Sequence, residues 1–329
     1  MSETQNLTIV QAVRDGLATE MALDDDVVAL GQDIGANGGV FRATQGLQDE
    51  FGDQRVVDTP LAESGIIGSA VGLATGGMKP VPEIQFSGFM YPGFDQIVSH
   101  MARYRTRSRS RFSLPMVLRA PYGGGIRAPE HHSDSKEAFY AHEAGLKVVI
   151  PSTPHDTKGL LISAIRDPDP VVFLEPKLIY RAFRGEVPEE DYEVPIGEAA
   201  TRREGEDVSV FTYGAMTRPT LEAAENLAEE AGIDAEVIDL RTVSPLDREA
   251  IVESFKKTGR AVVVHEAPKS GGLGGEITSL IQEEALIYQE APVKRVTGFD
   301  VPVPLYAMED YYLPNAARVE DGIREAVEF

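Results

Sequence analysis

The chain has 329 residues, 42% of them hydrophobic, which is enough for two domains with their own cores and includes no apolar run long enough to cross a bilayer. Cysteine is absent, which excludes disulfides and thiolate metal sites and fits a reducing, cytoplasmic setting. Fifty-three acidic residues stand against 31 basic ones, 22 Arg and 9 Lys, and the resulting formal charge of −22 argues against a nucleic-acid partner.

The N-terminal MSETQNLTIVQAV has no basic region followed by a hydrophobic stretch, so no secretory signal is expected. Residues 27–30 (VVAL), 116–118 (MVL), 148–150 (VVI) and 171–174 (VVFL) read as buried strands. Longer helical segments separate them, one starting with Thr153 as cap and Pro154 just inside. This alternation predicts a mostly parallel sheet covered by helices on both faces. After Tyr180 the pattern breaks. Residues 183–199 (FRGEVPEEDYEVPIGEA) are acidic and interrupted by Pro188 and Pro195, which predicts an interdomain linker. Alternation resumes with strands at 208–211, 236–239 and 261–264, and Ser244-Pro245-Leu246-Asp247 caps another helix. The expected fold class is α/β, with a first domain over 1–182 and a second over 200–329.

Within this frame, PLAESGIIGSAVGLATGG (60–77) predicts a helix entered at Pro60 and packed closely on all sides, since its residues are nearly all small or apolar. Glu63 is its only charge. A charge buried without a role is costly, although an acid at a helix N-terminus also complements the dipole. Gly123, Gly124 and Gly125 predict a flexible loop leading to Glu130-His131-His132-Ser133-Asp134. Histidine suits proton transfer near neutral pH, and the pair lacks the further spacing of a metal site. SGGLGG (270–275) lacks the Lys-Ser/Thr of a phosphate loop and reads as a helix start. Asp167-Pro168-Asp169-Pro170 has the chemistry of a turn.

The blocks DTPLAESGIIGSAVGLATGG, PEIQFSGFMYPGFDQI and PYGGGIRAPEHHSDSKEAF, in this order, resemble the β subunit of the thiamine-diphosphate-dependent 2-oxoacid dehydrogenases. The resemblance runs from LTIVQAVRDGL to the terminal EAVEF and is greatest to the pyruvate dehydrogenase type. It implies a thiamine-diphosphate pyrimidine-binding fold followed by a transketolase C-terminal-like domain. Glu63 matches the glutamate that activates the pyrimidine, and Phe89 the aromatic residue against that ring. Gln85 either faces the same cleft or satisfies local backbone. His132 matches the histidine that meets the substrate carboxylate and then a lipoyl dithiolane; His131 is its neighbour. Met116, Ala164, Ile165, Asp167 and Asp169 match a monovalent-cation site, with K+ as its occupant, and Asp169 stands where Asn is common. Gln32 replaces the more usual Glu of Gly-Glu-Asp, which puts an acidic relay through that position in doubt.

A Gly-Asp-Gly motif with paired Asn, which grips the diphosphate and its metal, is absent from the sequence. The resemblance therefore implies a separate α subunit that holds diphosphate and Mg2+, an α2β2 heterotetramer, and docking on a dihydrolipoamide acyltransferase core. Branched-chain 2-oxoacid and acetoin dehydrogenases are alternative activities, and an inactive structural partner is an alternative of another class. The charge of −22 predicts a salt-rich cytoplasm, where screening relieves self-repulsion.

Overall fold

The computed structural model describes residues 3–329. In chain order its strands are β1 (Thr4–Leu7), β2 (Val27–Gly31), β3 (Val56–Asp58), β4 (Lys79–Glu83), β5 (Val117–Tyr122), β6 (Lys147–Val149) and β7 (Val171–Pro176). There follow β8 (Gly185–Pro188), β9 (Ala200–Arg203), β10 (Val208–Thr212), β11 (Ala235–Asp239), β12 (Thr242–Ser244), β13 (Ala261–Pro268) and β14 (Lys294–Gly298). Seven form one sheet in the order β12-β6-β7-β5-β4-β2-β3, and five form a second in the order β14-β13-β10-β11-β9. Both are parallel except at one edge each, where β12 and β9 run antiparallel to their neighbours.

The expected α/β class is met. β2, β5 and β7 are buried along their whole length, as strands covered on both faces must be. The Ile9–Leu23 helix starts in a capping box between Thr8 and Gln11. The Pro154–Arg166 helix starts as its sequence predicts, with the Thr153 hydroxyl oxygen accepting from the Asp156 amide at 3.1 Å. The second sheet carries Thr217–Ala231, Arg248–Thr258, Leu273–Ala285 and Ala316–Val327.

Three details differ from the sequence reading. Residues 183–199 are more than a connector, because β8 pairs antiparallel with β1. The segment is also fastened by Lys158, a fully buried ammonium that donates to the Pro188 carbonyl at 2.7 Å and pairs with Asp15 at 2.9 Å. The cap of Arg248–Thr258 is Asp247, which accepts from the Ala250 amide at 3.0 Å, whereas Ser244 belongs to β12. Finally, β12 comes from the second half of the chain yet completes the edge of the first sheet, with Thr242 opposite Val149 and Ser244 opposite Val148. A three-residue strand has too little periodicity to announce itself in sequence.

Candidate active site

Five segments converge because each follows the carboxyl end of a parallel strand in the seven-stranded sheet, the edge at which open α/β sheets bind ligands. Asp33 follows β2, Glu63 follows β3, and Gln85, Phe86 and Phe89 follow β4. The loop to His132 follows β5, and Lys177 follows β7.

Glu63 is the first residue of the Glu63–Thr75 helix. The neighbouring Ser87–Gly93 turn fixes that helix start: the Ser64 hydroxyl donates to the Pro92 carbonyl, and a Cβ on Gly93 would come within 2.5 Å of Ile67 Cδ1 and 3.4 Å of the Glu63 carbonyl. Glu63 is half-buried, and its carboxylate accepts no hydrogen bond among the described residues. The helix is not enclosed on all sides. Ile66, Ile67, Ala70 and Ala74 face the core, while Ser64, Gly65, Ser69 and Gly72 are exposed. A Cβ on Gly72 would meet nothing within 4 Å, so that glycine keeps a surface low rather than fitting a contact within the chain.

Phe89 is half-buried beside His132, their ring centroids 4.9 Å apart, and Phe86 packs against both, 4.4 Å from His132 and 5.4 Å from Phe89. His132 Nδ1 lies 2.9 Å from the Glu130 carbonyl. A carbonyl only accepts, so Nδ1 carries a proton, and in the neutral tautomer this fixes, Nε2 is the nitrogen with the lone pair. His131 turns away, exposed and in the left-handed region at φ +67°, with Nδ1 3.7 Å from Asp134. Gln85 does not satisfy local backbone; its amide donates to the Asp33 carboxylate at 3.3 Å. The glycine loop is not loose either. The Gly124 and Gly125 amides donate to Glu266 and Glu309, both from the second half of the chain. A cleft of about 530 Å3 opens between His131, Ser133 and Asp134 on one side and Asp300, Pro302 and Pro304 on the other.

The residues matched to a cation site gather at the C-terminal end of the Pro154–Arg166 helix. Ala164 and Ile165 lie in its last turn, where carbonyls lack intrahelical partners and favour positive charge. The Met116 carbonyl accepts from Val171 at 3.0 Å. Asp167 pairs with Lys147, and Asp169 with Arg105 at 2.5 Å, so both carboxylates already face cations of the chain.

A family model described as "Transketolase, pyrimidine binding domain" matches residues 5–182, and one described as "Transketolase, C-terminal domain" matches 197–319. The pyruvate dehydrogenase E1 component subunit beta of Bacillus subtilis (strain 168) is 53% identical over 323 residues, covering 98% of this chain and 99% of that protein. The chain belongs to the pyruvate dehydrogenase E1 β-subunit family. The subunit of the same name from Acholeplasma laidlawii is 51% identical over 319 residues, covering 97% of both chains. In fold the chain also resembles a split-gene transketolase solved as an inactive β4 tetramer, with a TM-score of 0.81 at 24% identity over 98% of each chain.

Against this family background, the sequence reading singled out Glu63, Gln85, Phe89 and His132, and the fold brings all four to one sheet edge. It missed Asp33, Phe86, Lys177, Glu266 and Glu309. Glu266 and Glu309 are two acids among 53 acidic residues, with no motif around them and more than 130 positions from the loop they touch, so only tertiary structure reveals them. SGGLGG is a helix start as expected: Gly272 caps Leu273–Ala285, and the Gly274 amide donates to His265 Nε2 at 3.3 Å.

Proposed function

We propose that this chain is the β subunit of a pyruvate dehydrogenase decarboxylating component, acting with thiamine diphosphate to decarboxylate pyruvate oxidatively and pass the acyl group to lipoyl. The observation that carries the reading is Glu63: a half-buried carboxylate that accepts no hydrogen bond among the described residues, in the first turn of a helix packed on the turn that carries Phe89, at the sheet edge that also brings His132. This arrangement fits a flat, basic heterocycle. No described residue bonds the carboxylate, and Phe89 offers an apolar wall at the same sheet edge.

Thiamine diphosphate, when bound, supplies the nucleophilic carbon that adds to a 2-oxoacid carbonyl. Glu63 holds the proton shared with the pyrimidine ring nitrogen. Phe89 orients that ring and excludes water from it. His132, with its proton on Nδ1, offers Nε2 to accept a proton, or as imidazolium to pair with the substrate carboxylate. Phe86 and Phe89 restrict the imidazole to this orientation.

The rest of the assignment follows from the same reading. An α subunit covers the open face of the Glu63 helix in an α2β2 heterotetramer, bringing Mg2+ and the diphosphate grip, and the assembly docks on a dihydrolipoamide acyltransferase core in the cytoplasm. A K+ ion would be held by the carbonyls of Met116, Ala164 and Ile165, with Asp167 and Asp169 contributing to the same site. The charge of −22 suits a salt-rich cell.

The test is reconstitution. The isolated chain should turn over nothing, and addition of the α partner with Mg2+ and thiamine diphosphate should give activity, with pyruvate preferred over branched-chain 2-oxoacids and acetoin. Glu63→Gln fills the same space without the exchangeable proton. The reconstituted variant should assemble but lose deuterium exchange at the thiazolium carbon; exchange at the wild-type rate would refute the role of Glu63.

A further inference from the structure

The turn formed by residues 123–127 binds anions, and the anions are carboxylates of the same chain. The Gly124 amide donates to Glu266 Oε2 at 2.9 Å. The Gly125 and Arg127 amides both donate to Glu309 Oε1, at 2.6 and 3.1 Å, and the Ser133 hydroxyl donates to Glu309 Oε2 at 2.9 Å. At the base of the loop the Gly123 amide donates to the Asp134 carbonyl at 3.3 Å, and the Lys177 ammonium donates to the Gly123 carbonyl. Consecutive amides pointing inward form the kind of concavity that elsewhere cradles phosphate.

The glycines are required by this arrangement rather than by mobility. Gly123 and Gly125 have φ of +79° and +106°. A Cβ on Gly123 would lie 2.3 Å from Glu266 Oε1, and one on Gly125 would lie 2.6 Å from Leu178 Cβ. Glu266 lies in β13 and Glu309 opens the Glu309–Tyr312 turn of helix, so both reach the loop from the second half of the chain. Both are buried, at 3% and 1% exposure. A buried carboxylate persists where its lone pairs are used, and Glu309 directs both oxygens at the loop. Its bonds bracket His132, two on the approach and one on Ser133, the next residue.

We propose that Glu309, assisted by Glu266, is a positioning residue for His132: the second domain holds the histidine loop in its working shape through carboxylate-to-amide bonds. This rests on the reading of His132 as the histidine that meets substrate. Glu309 itself touches neither substrate nor reacting atoms. Its effect is geometric, and small displacements of a reacting group are costly to rate.

Glu309→Ala and Glu309→Gln, made in the full chain and in the reconstituted enzyme, test the inference. Hydrogen exchange at the Gly125 and Arg127 amides should rise roughly tenfold in Glu309→Ala, which loses their acceptor. Acyl-transfer kcat should fall on the order of a hundredfold, with the KM for pyruvate little changed. Glu309→Gln keeps a carbonyl for both amides and should restore protection and most of kcat. Where Glu309→Ala fails to fold, Ser133→Ala removes one bond and should still raise exchange in the loop. Unchanged exchange in a folded Glu309→Ala variant, or a Gln variant as impaired as the Ala one, would overturn the proposal. Exchange needs no turnover, so a deprotected loop in an assembly that does not decarboxylate pyruvate would count against the functional reading and not against the clamp.

Discussion

The His132 imidazole stands edge-on to the Phe89 ring, centroids 4.9 Å apart and planes at 79°. The two residues come from loops after neighbouring parallel strands, β5 and β4, so the sheet rather than the local sequence sets their contact. Phe86, packed against both rings, and the Glu130 carbonyl at Nδ1 complete the restraint, and Nε2 remains the ring atom available for chemistry.

His132→Ala should reduce acyl transfer to a lipoylated acceptor by roughly 10²- to 10⁴-fold, the usual worth of a placed acid–base group. Affinity for thiamine diphosphate should be largely retained, because the ring does not support the fold. Titration of the cofactor alongside acceptor-dependent turnover separates the two effects, and equal turnover in variant and wild type would remove His132 from the mechanism.

His265 is a pH-dependent element of stability. It is fully buried, with Nδ1 3.1 Å from the Ala267 carbonyl and Nε2 accepting from Gly274. Burial pushes its pKa down to about 4, with nearby Arg295 acting in the same direction and the bond to Ala267 opposing. The unfolded chain titrates near 6.5. A depressed folded value stabilises fully above about pH 6.5 and loses that contribution as pH falls toward 4, in total roughly 3 kcal/mol. His265→Asn should therefore be less stable than wild type at pH 7 and approach it at pH 4. Urea midpoints for both proteins across that range give the answer, and a constant gap would show that His265 does not titrate this way.

Arg119 is buried between two carboxylates of the parallel sheet, with Nη1 donating to Glu83 at 3.1 Å and Nε to Glu175 at 2.7 Å. Burial pushes the Glu83 carboxyl up, while Arg119 pulls it down. Arg119→Met should destabilise by about 3–5 kcal/mol, because it strands buried acids without their cation. Adding Glu83→Gln removes one of those acids and should recover part of the loss. Equal instability of the single and double variants would place the cost in packing instead.

The charge of −22 should make stability depend on salt. Between 0.1 and 2 M KCl the screening length falls from about 10 Å to under about 3 Å. The melting temperature should rise by about 10 °C over that range, an increment of a few kcal/mol at this size. A flat profile would identify an ordinary acidic enzyme rather than one suited to a salt-rich cell.

The sequence by itself determined the strand–helix alternation, because fully buried parallel strands must be apolar along their length, as 27–30 and 171–174 are. It also offered Glu63 as a candidate, the lone charge in a block of small and apolar residues, while Phe89 and His132 were marked by the resemblance of their blocks to the family. Tertiary structure alone decided three things. It left the Gly65–Gly72 face of the Glu63 helix open, because small residues suit either tight packing or a low surface, and composition does not distinguish them. It drew Thr242 and Ser244 out of the second domain to finish the first sheet, a pairing across more than 90 residues that local pattern does not encode. And it turned three glycines that read as a flexible loop into a held one, because the acceptors for their amides, Glu266 and Glu309, are distant in the chain and become neighbours only when the two sheets pack.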